Sequence, residues 1–549
     1  MSAGLRSCLA AVRCTAPGGT RLDLATFRSL RPRPRPGQQP APDAARAPGS
    51  VARSDGPGST QIAVDLTRPL GDLDRNVFGG FIEHVGRCIY GGVYDEGSPL
   101  SDASGFRTDV LALLRELRLG VLRWPGGNFA SNYHWQDGVG PAAARPRRTD
   151  LAWNLEESNR FGTDEFLAYC AELGTDPFIC LNMGTGSLAE ALAWIEYCNG
   201  AGQTDWARQR RGNGHGEPYR VRYWALGNEL YGKWQVGGMS AEEYVGTATT
   251  WARAIRRLDP GAVLVSCGNN GWSDWDQTVI NGLAPLVDLH SVHIYTGAGE
   301  YWPNVLAPHM AERAIRAASA MISRVAYVKK ISAPPRIAYD EWNVWYRTRD
   351  SMMDERYDVS DMLAVATYLN IFVRNCRWVA MANLAQLVNV IAPVLTTPDA
   401  AVTQPIYYPV LLHARGALDE AVDCHVTGPA VTGPAAEPRG RWLHRFADLG
   451  PFTVVDASAT AAADRGKVAV TLVNRSEQDE PARLVLRGGT FGGPVQITVV
   501  TAERGREQRT LPGVQAATIT EGTEEPGGPV LELTLPARSF ALVEGPVSP

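Results

Sequence analysis

Between about residues 76 and 390 the chain alternates short apolar runs with longer segments of helical periodicity, and no other feature limits its fold so strongly. Val77–Ile82 precedes a helix predicted near Phe106–Arg118. Val121–Trp124 precedes one at Thr163–Leu173, and Pro177–Met183 precedes Ser187–Tyr197. Arg222–Leu226 leads into Ala241–Leu258. Val263–Ser266, Leu289–Tyr295, Arg336–Tyr339 and Val379–Leu384 supply four more strands, with helices near Ala311–Val328 and Asp361–Asn375. Eight such units predict an α/β chain built on a (β/α)8 TIM barrel. A doubly wound sheet ranks behind it, because no G-x-G-x-x-G follows the first strand.

After about residue 400 the period becomes two. Val468–Val473, Val495–Val500, Val530–Leu535 and Phe540–Val543 alternate between glycine- and charge-rich turns, which predicts a C-terminal antiparallel β-sandwich, jelly-roll-like. The expected division is a tail over 1–60, a strand region 61–75 joining the sandwich, the barrel over 76–400 and the sandwich over 401–549. At 549 residues the chain is long enough for two cores.

Residues 1–60 hold nine arginines, no lysine, three aspartates, eight prolines and seven glycines, and read as a disordered tail. Leu9-Ala10-Ala11-Val12 is cut off by Arg13, too short for a secretory signal. The net charge of −5 disfavours nucleic acid as a partner, and no apolar run is long enough for a membrane span. Nine dispersed cysteines without a C-x-x-C pair suit buried thiols in the cytoplasm.

Barrel enzymes carry their reactive groups at the C-terminal ends of the strands. There the sequence places Glu83-His84, Gly126-Gly127-Asn128, Asn228-Glu229, His293-Ile294-Tyr295, Asp340-Glu341 and Gln386. No nucleotide loop, nucleophile elbow or Cys/His metal cluster competes with them, so no cofactor or metal is expected. Two glutamates ending strands four and seven suit glycoside hydrolysis, which needs one acid to protonate the leaving oxygen and one carboxylate to attack. Glu341 is then expected ionised and Glu229 protonated at rest. His293 and Tyr295 share strand parity, but Asn228 and Glu229 do not, so both reach one site only where the strand bulges or ends.

Seven ordered motifs carry a resemblance: NVFGGFIEHVGRCIYGG (76–92), RWPGGN (123–128), WNLEESNRFGTDEF (153–166), WALGNE (224–229), HSVHIY (290–295), DEWN (340–343) and MANLAQLVNVI (381–391). The chain resembles the α-L-arabinofuranosidases of glycoside hydrolase family 51, strongly over 61–400 and loosely beyond. The resemblance implies a retaining exo-enzyme that removes terminal α-L-arabinofuranosyl groups from arabinan or arabinoxylan fragments. It implies Glu229 as acid/base and Glu341 as nucleophile. Glu83, Asn128, Asn228, His293, Tyr295 and Gln386 would bind the sugar, and His293 and Tyr295 would also orient the nucleophile. It also implies a homo-oligomer, commonly a hexamer.

Two other readings remain at this stage: an endo-β-glucanase on the same fold, and a non-catalytic carbohydrate-binding protein. Several residues also have plain structural readings. Glu83 could pair with Arg123, Gly126-Gly127 could be an ordinary turn, and His84 could be structural. Trp124, Trp194, Trp224 and Trp345 read as packing, whereas Trp272, Trp275 and Trp302, in apparent loops, are the candidates for contacts beyond the arabinose. The segments Gln404–Pro409 and Val426–Arg439 fit the family pattern poorly.

Overall fold

The computed structural model describes residues 53–54, 59–346, 355–433, 446–503 and 517–549. The expectation of a disordered tail over 1–60 lies almost wholly outside them. Eight parallel strands close into a barrel in chain order. They are Gly79–Phe81, Val121–Trp124, Asp176–Cys180, Tyr223–Leu226, Val263–Ser266, Leu289–Thr296, Arg336–Val344 and Val379–Ala385, numbered here one to eight. Each is buried on both faces, which is why the sequence shows continuous apolar runs rather than alternation. Val121, Phe178, Ala225, Val265, Ala338 and Met381 fill the interior as a plug of side chains.

Several helices on the barrel's outside begin or end on specific capping residues. Ser240 and Glu243 form a reciprocal cap on Ala241–Leu258, and Gly174 ends Thr163–Leu173 at φ +67°. Helices Asp205–Gly212, Asp274–Leu283, Tyr301–Leu306 and Tyr407–Gly416 were not read from the sequence. The glycine- and asparagine-rich run before Ser273 resembles a loop, yet Ser273 and Asp276 cap the helix that follows it. Gln404, in a segment that fits the family poorly, donates to the carbonyls of Glu355 and Ala392. The other poorly fitting segment is described only as far as residue 433.

The C-terminal strands form one ten-stranded, mostly antiparallel sheet. Glu480–Arg487 lies near one end of it, yet Thr490–Phe491, three residues later, pairs with Ser539–Ser548 five strands away. The sheet therefore curls onto itself around a shared apolar core of Ile62, Leu484, Leu472 and Leu542. One pair departs from the antiparallel expectation: Thr60–Asp72 runs parallel to Glu480–Arg487, with Ile62 opposite Leu484. Parallel neighbours need a long crossover, and here the whole barrel supplies it.

Helix Val359–Arg374 lies between barrel and sheet, and Val359–Val373 is buried all round. Asn370 donates to Asp456 at 2.8 Å and accepts from Ser458 and Thr471, while Arg374 bonds Asp456 at 3.0 Å. These bonds fix the sheet against the barrel.

Candidate active site

The fourth strand ends at Leu226, after which Gly227 (φ +79°) and Glu229 (φ +44°) both turn left-handed. That break resolves the parity conflict, since Asn228 and Glu229 are no longer on a strand. Positive φ at a glutamate is a strained conformation, of the kind concentrated at functional sites. The seventh strand solves a similar problem with a bulge. Its register against strand six shifts between Ala338 and Glu341, and against strand eight between Tyr339 and Trp342. The bulge lets Asp340 and Glu341, neighbours in sequence, approach one histidine together.

Glu341 is buried and accepts from Arg123 Nη1 at 2.6 Å and from Tyr295 Oη at 2.9 Å. Arg123 also donates to Asn228 Oδ1 at 2.7 Å and lies 4.6 Å over the Phe81 ring. Burial disfavours its charge, but Asp340 and Glu341 more than reverse that, so the guanidinium stays cationic. Glu229 accepts from His293 Nδ1 and Tyr231 Oη, both at 3.0 Å, and from Trp234 Nε1 at 3.1 Å. An oxygen of Glu229, one of Glu341 and a nitrogen of His293 all lie within 4.8 Å of one another.

His293 faces carboxylates on both sides. Nδ1 lies 3.0 Å from Glu229 and 3.5 Å from Glu341, and Nε2 lies 3.3 Å from Asp340. Burial alone would lower its pKa, but Glu341, Asp340 and Glu229 raise it to about 10, so the ring is an imidazolium. Nδ1 is taken by Glu229, whereas Nε2 is in ion-pair contact with Asp340 but makes no aligned hydrogen bond among the described residues. The Glu229 carboxyl is pushed up by burial, but the donors His293, Tyr231 and Trp234 pull it below its ordinary value. These donors favour the charged form of Glu229 in the free protein, against the expectation that it rests protonated.

On the opposite side of the pocket, Glu83 accepts from Phe129 N at 3.0 Å, Trp153 Nε1 at 3.2 Å and Gln386 Nε2 at 3.0 Å. Burial, with the nearby Glu341, raises its pKa to about 7 against those donors. The suggested Glu83–Arg123 pair is not formed, because Arg123 is committed to Glu341 and Asn228. Gly126-Gly127 is no ordinary turn: a Cβ on Gly126 would stand 2.5 Å from Glu83 Cγ, and one on Gly127 2.9 Å from Glu341 Oε1. Asn128 Oδ1, Asn228 Nδ2 and Gln386 Oε1 are buried and have no hydrogen-bond partner among the described residues. Buried polar atoms are rarely left so. Three of them around two carboxylates describe a site shaped for a polyol.

The tryptophan assignments change. Trp275 is buried in the helix after strand five and donates to the Cys267 carbonyl, and Trp272 and Trp302 pack against the apolar cores. The tryptophans at the site are Trp153, bonded to Glu83, and Trp234, which is 62% exposed yet holds Glu229. Trp345 packs edge-on against Tyr295 at 5.4 Å. Trp234 follows Glu229 by five residues, and that proximity in sequence was the available signal. His84 is structural, bonded to Glu157 and Trp124 and stacked on Phe129.

A closed barrel with two adjacent carboxylates at its C-terminal mouth, ringed by unpartnered polar atoms, defines a glycoside hydrolase. Two family models match the chain, the alpha-L-arabinofuranosidase 1 domain over residues 113–306 and the alpha-L-arabinofuranosidase C-terminal domain over 340–539. The probable alpha-L-arabinofuranosidase C of Aspergillus fumigatus is 44% identical over 461 residues, 80% of this chain and 89% of the relative. The intracellular exo-alpha-(1->5)-L-arabinofuranosidase 1 of Bacillus subtilis is 34% identical over 451 residues, 78% of this chain and 87% of that protein. The crystal structure of the Thermotoga maritima alpha-L-arabinofuranosidase in its arabinose complex superposes with a TM-score of 0.81 at 36% identity, covering 89% of this chain and all of that one. The chain belongs to the α-L-arabinofuranosidases of glycoside hydrolase family 51.

Proposed function

We propose that the protein removes terminal non-reducing α-L-arabinofuranosyl groups from arabinose-containing oligosaccharides, exo-acting and with retention of configuration. The observation that carries retention is the approach of Glu229 and Glu341 oxygens to within 4.8 Å. Retaining glycosidases hold their carboxyl groups about 5–5.5 Å apart, whereas inverting ones leave room for a water at about 6.5–9.5 Å.

Glu341 is the nucleophile: Arg123 and Tyr295 hold its two oxygens toward the anomeric carbon. Its C–O bond to the sugar forms as the glycosidic bond breaks and Glu229 protonates the leaving oxygen. Glu229 then takes a proton from the water that releases the sugar. Glu83, Asn128, Asn228, Tyr295 and Gln386 recognise the furanose by directed hydrogen bonds, which reject sugars that leave them unpaired. The exposed Trp234, tied to Glu229, stands where the departing group would lie. The buried thiols of Cys88, Cys170, Cys180, Cys198, Cys267 and Cys376 support a reducing compartment such as the cytoplasm, and a homo-oligomer is proposed by resemblance alone.

The purified protein should release 4-nitrophenol from 4-nitrophenyl α-L-arabinofuranoside and leave the arabinopyranoside and a β-glucan intact. Turnover of the glucan instead would replace the substrate class. Glu341→Ala should be inactive, and azide should rescue it as the inverted glycosyl azide. Glu229→Ala with azide should give the retained one. The opposite pattern would exchange the two roles.

A further inference from the structure

We propose that Asp340 is a positioning residue that keeps the proton of the catalytic cycle on His293, one hydrogen bond from Glu229. The inference rests on the reading of Glu229 as acid/base and Glu341 as nucleophile. It adds a residue that touches neither substrate nor reacting atoms.

The geometry is a line of three groups. Asp340 Oδ1 faces His293 Nε2 at 3.3 Å, and His293 Nδ1 donates to Glu229 Oε1 at 3.0 Å. Asp340 is 1% exposed and held from other sides as well. Ser291 Oγ donates to its Oδ1 at 2.5 Å, and Arg123 Nε lies 3.7 Å from its Oδ2. The bulge in strand seven is what brings this carboxylate to the ring beside Glu341. The backbone of His293 is fixed too, since its N–H donates to the Asn269 carbonyl at 2.7 Å. Asn269 is held by Asp276, and Asp276 by His290.

The groups facing the ring are Glu229 from the end of strand four and Asp340 and Glu341 from strand seven; Arg123 from strand two lies behind the last two. Three carboxylates around one imidazole keep both of its nitrogens protonated. Glu229 therefore need not hold its own proton between turnovers.

When the glycosidic oxygen arrives, the Nδ1 proton of His293 passes to the Glu229 carboxylate, and Glu229 delivers it as the C–O bond breaks and the bond to Glu341 forms. His293 is then neutral, keeping its proton on Nε2 in contact with Asp340 Oδ1. In the second half, water attacks the anomeric carbon and Glu341 leaves with its electron pair. Glu229 accepts the water proton and returns it to His293 Nδ1. No proton is gained or lost by the site over the cycle.

The test is the pH profile of Asp340→Asn, with Asp340→Glu as the conservative rescue. Without the carboxylate, His293 loses its proton more readily. The alkaline limb of kcat/KM should move down by about one pH unit or more, a roughly tenfold or larger loss at the upper end and less near the optimum. Asp340→Glu should restore most of the limb. A uniform loss at every pH with the limb unmoved would overturn the proposal. The unmodified enzyme provides a second test that does not depend on how the variants fold. Nitrogen-15 NMR of histidine-labelled protein, with the His293 signal assigned by its loss in His293→Gln, should show a doubly protonated ring at pH 8, and a neutral ring there would refute the idea. If instead Glu229→Ala and Glu341→Ala keep full activity, the underlying functional reading fails and Asp340 falls with it.

Discussion

Two buried clusters of ionisable and amide groups, one at the barrel mouth and one where the barrel meets the sheet, are built on different rules. At the junction Asp456 is met by Asn370 and Arg374, Arg475 donates to the Thr453 carbonyl and bonds His309, and Asn370 uses both ends of its amide. Burial works against the Asp456 charge, but Arg374, Arg475 and His309 hold its pKa at about 2. At the mouth, Asn128, Asn228 and Gln386 each keep a buried polar atom without a partner among the described residues, and Glu83 is raised to about 7 by burial and a neighbouring carboxylate. The junction network, complete among the described residues except for Arg475 Nε, holds the sheet to the barrel; the mouth leaves several groups open and has free energy to gain when a ligand completes them.

The comparison predicts that substitutions at the mouth remove activity and substitutions at the junction remove stability. The largest effect on activity outside the two glutamates belongs to Arg123→Ala. It frees both Glu341 and Asn228, so kcat/KM should fall roughly a thousandfold, or about 4 kcal/mol. A loss below tenfold would mean that Glu341 is held by other means. Next comes Asp456→Ala, which leaves Arg374 and Arg475 buried without their carboxylate. Urea titration should show about 3–5 kcal/mol lost, while kcat at 25 °C stays within a factor of about two. A large fall in kcat with the fold intact would end the separation of roles.

The two clusters should also respond to pH in opposite senses. The Glu83 carboxyl is raised in the folded state, so its protonation stabilises the fold. That contribution is full below about pH 4.5 and is lost as pH rises through about 7, on the order of 3 kcal/mol in all. Asp456 is depressed, so its contribution is present above its ordinary value of 3.8 and is lost as pH falls through about 2. Denaturation measured across pH should show both limbs. Glu83→Gln should flatten the one between pH 5 and 8, and Asp456→Asn the acid one. An unchanged slope in Glu83→Gln would place the alkaline loss elsewhere.

The barrel was legible because its strands and helices differ in period, and the glutamates because strand ends are where barrel chemistry sits. What stayed hidden has specific physical causes. The helix Asp274–Leu283 lies behind a run of Gly, Asn and Ser that looks like a loop, so Trp275 reads as a loop residue although it is core. Trp234 and Trp153 reach the carboxylates through indole N–H groups, and only the short distance in sequence from Glu229 to Trp234 hints at this. Asp340 stands at the strand end in the sequence but carries no role there, because strand parity turns it away from Glu341, and the bulge that brings it back is a register shift against two other strands. Likewise, only the assembled fold shows that His293 lies among three carboxylates.

The smallest predicted effects give the sharpest test, because they use one residue type in both places. Asn128 has an unpartnered Oδ1 at the mouth, whereas Asn370 at the junction donates to Asp456 and accepts from Ser458 and Thr471. Removing a side chain whose acceptor makes no bond in the free protein forfeits little folding energy but loses a bond to substrate. Asn128→Ala should therefore keep its melting temperature and lose about 1–2 kcal/mol in kcat/KM, roughly tenfold. Asn370→Ala strands several buried groups at once, so it should lose about 1–3 kcal/mol of stability with kcat/KM unchanged below its melting range. Paired melting curves and initial rates on the two variants decide the matter. Equal losses of stability in both would mean that Asn128 is structural after all, and that the unpartnered oxygen at the barrel mouth is not reserved for substrate.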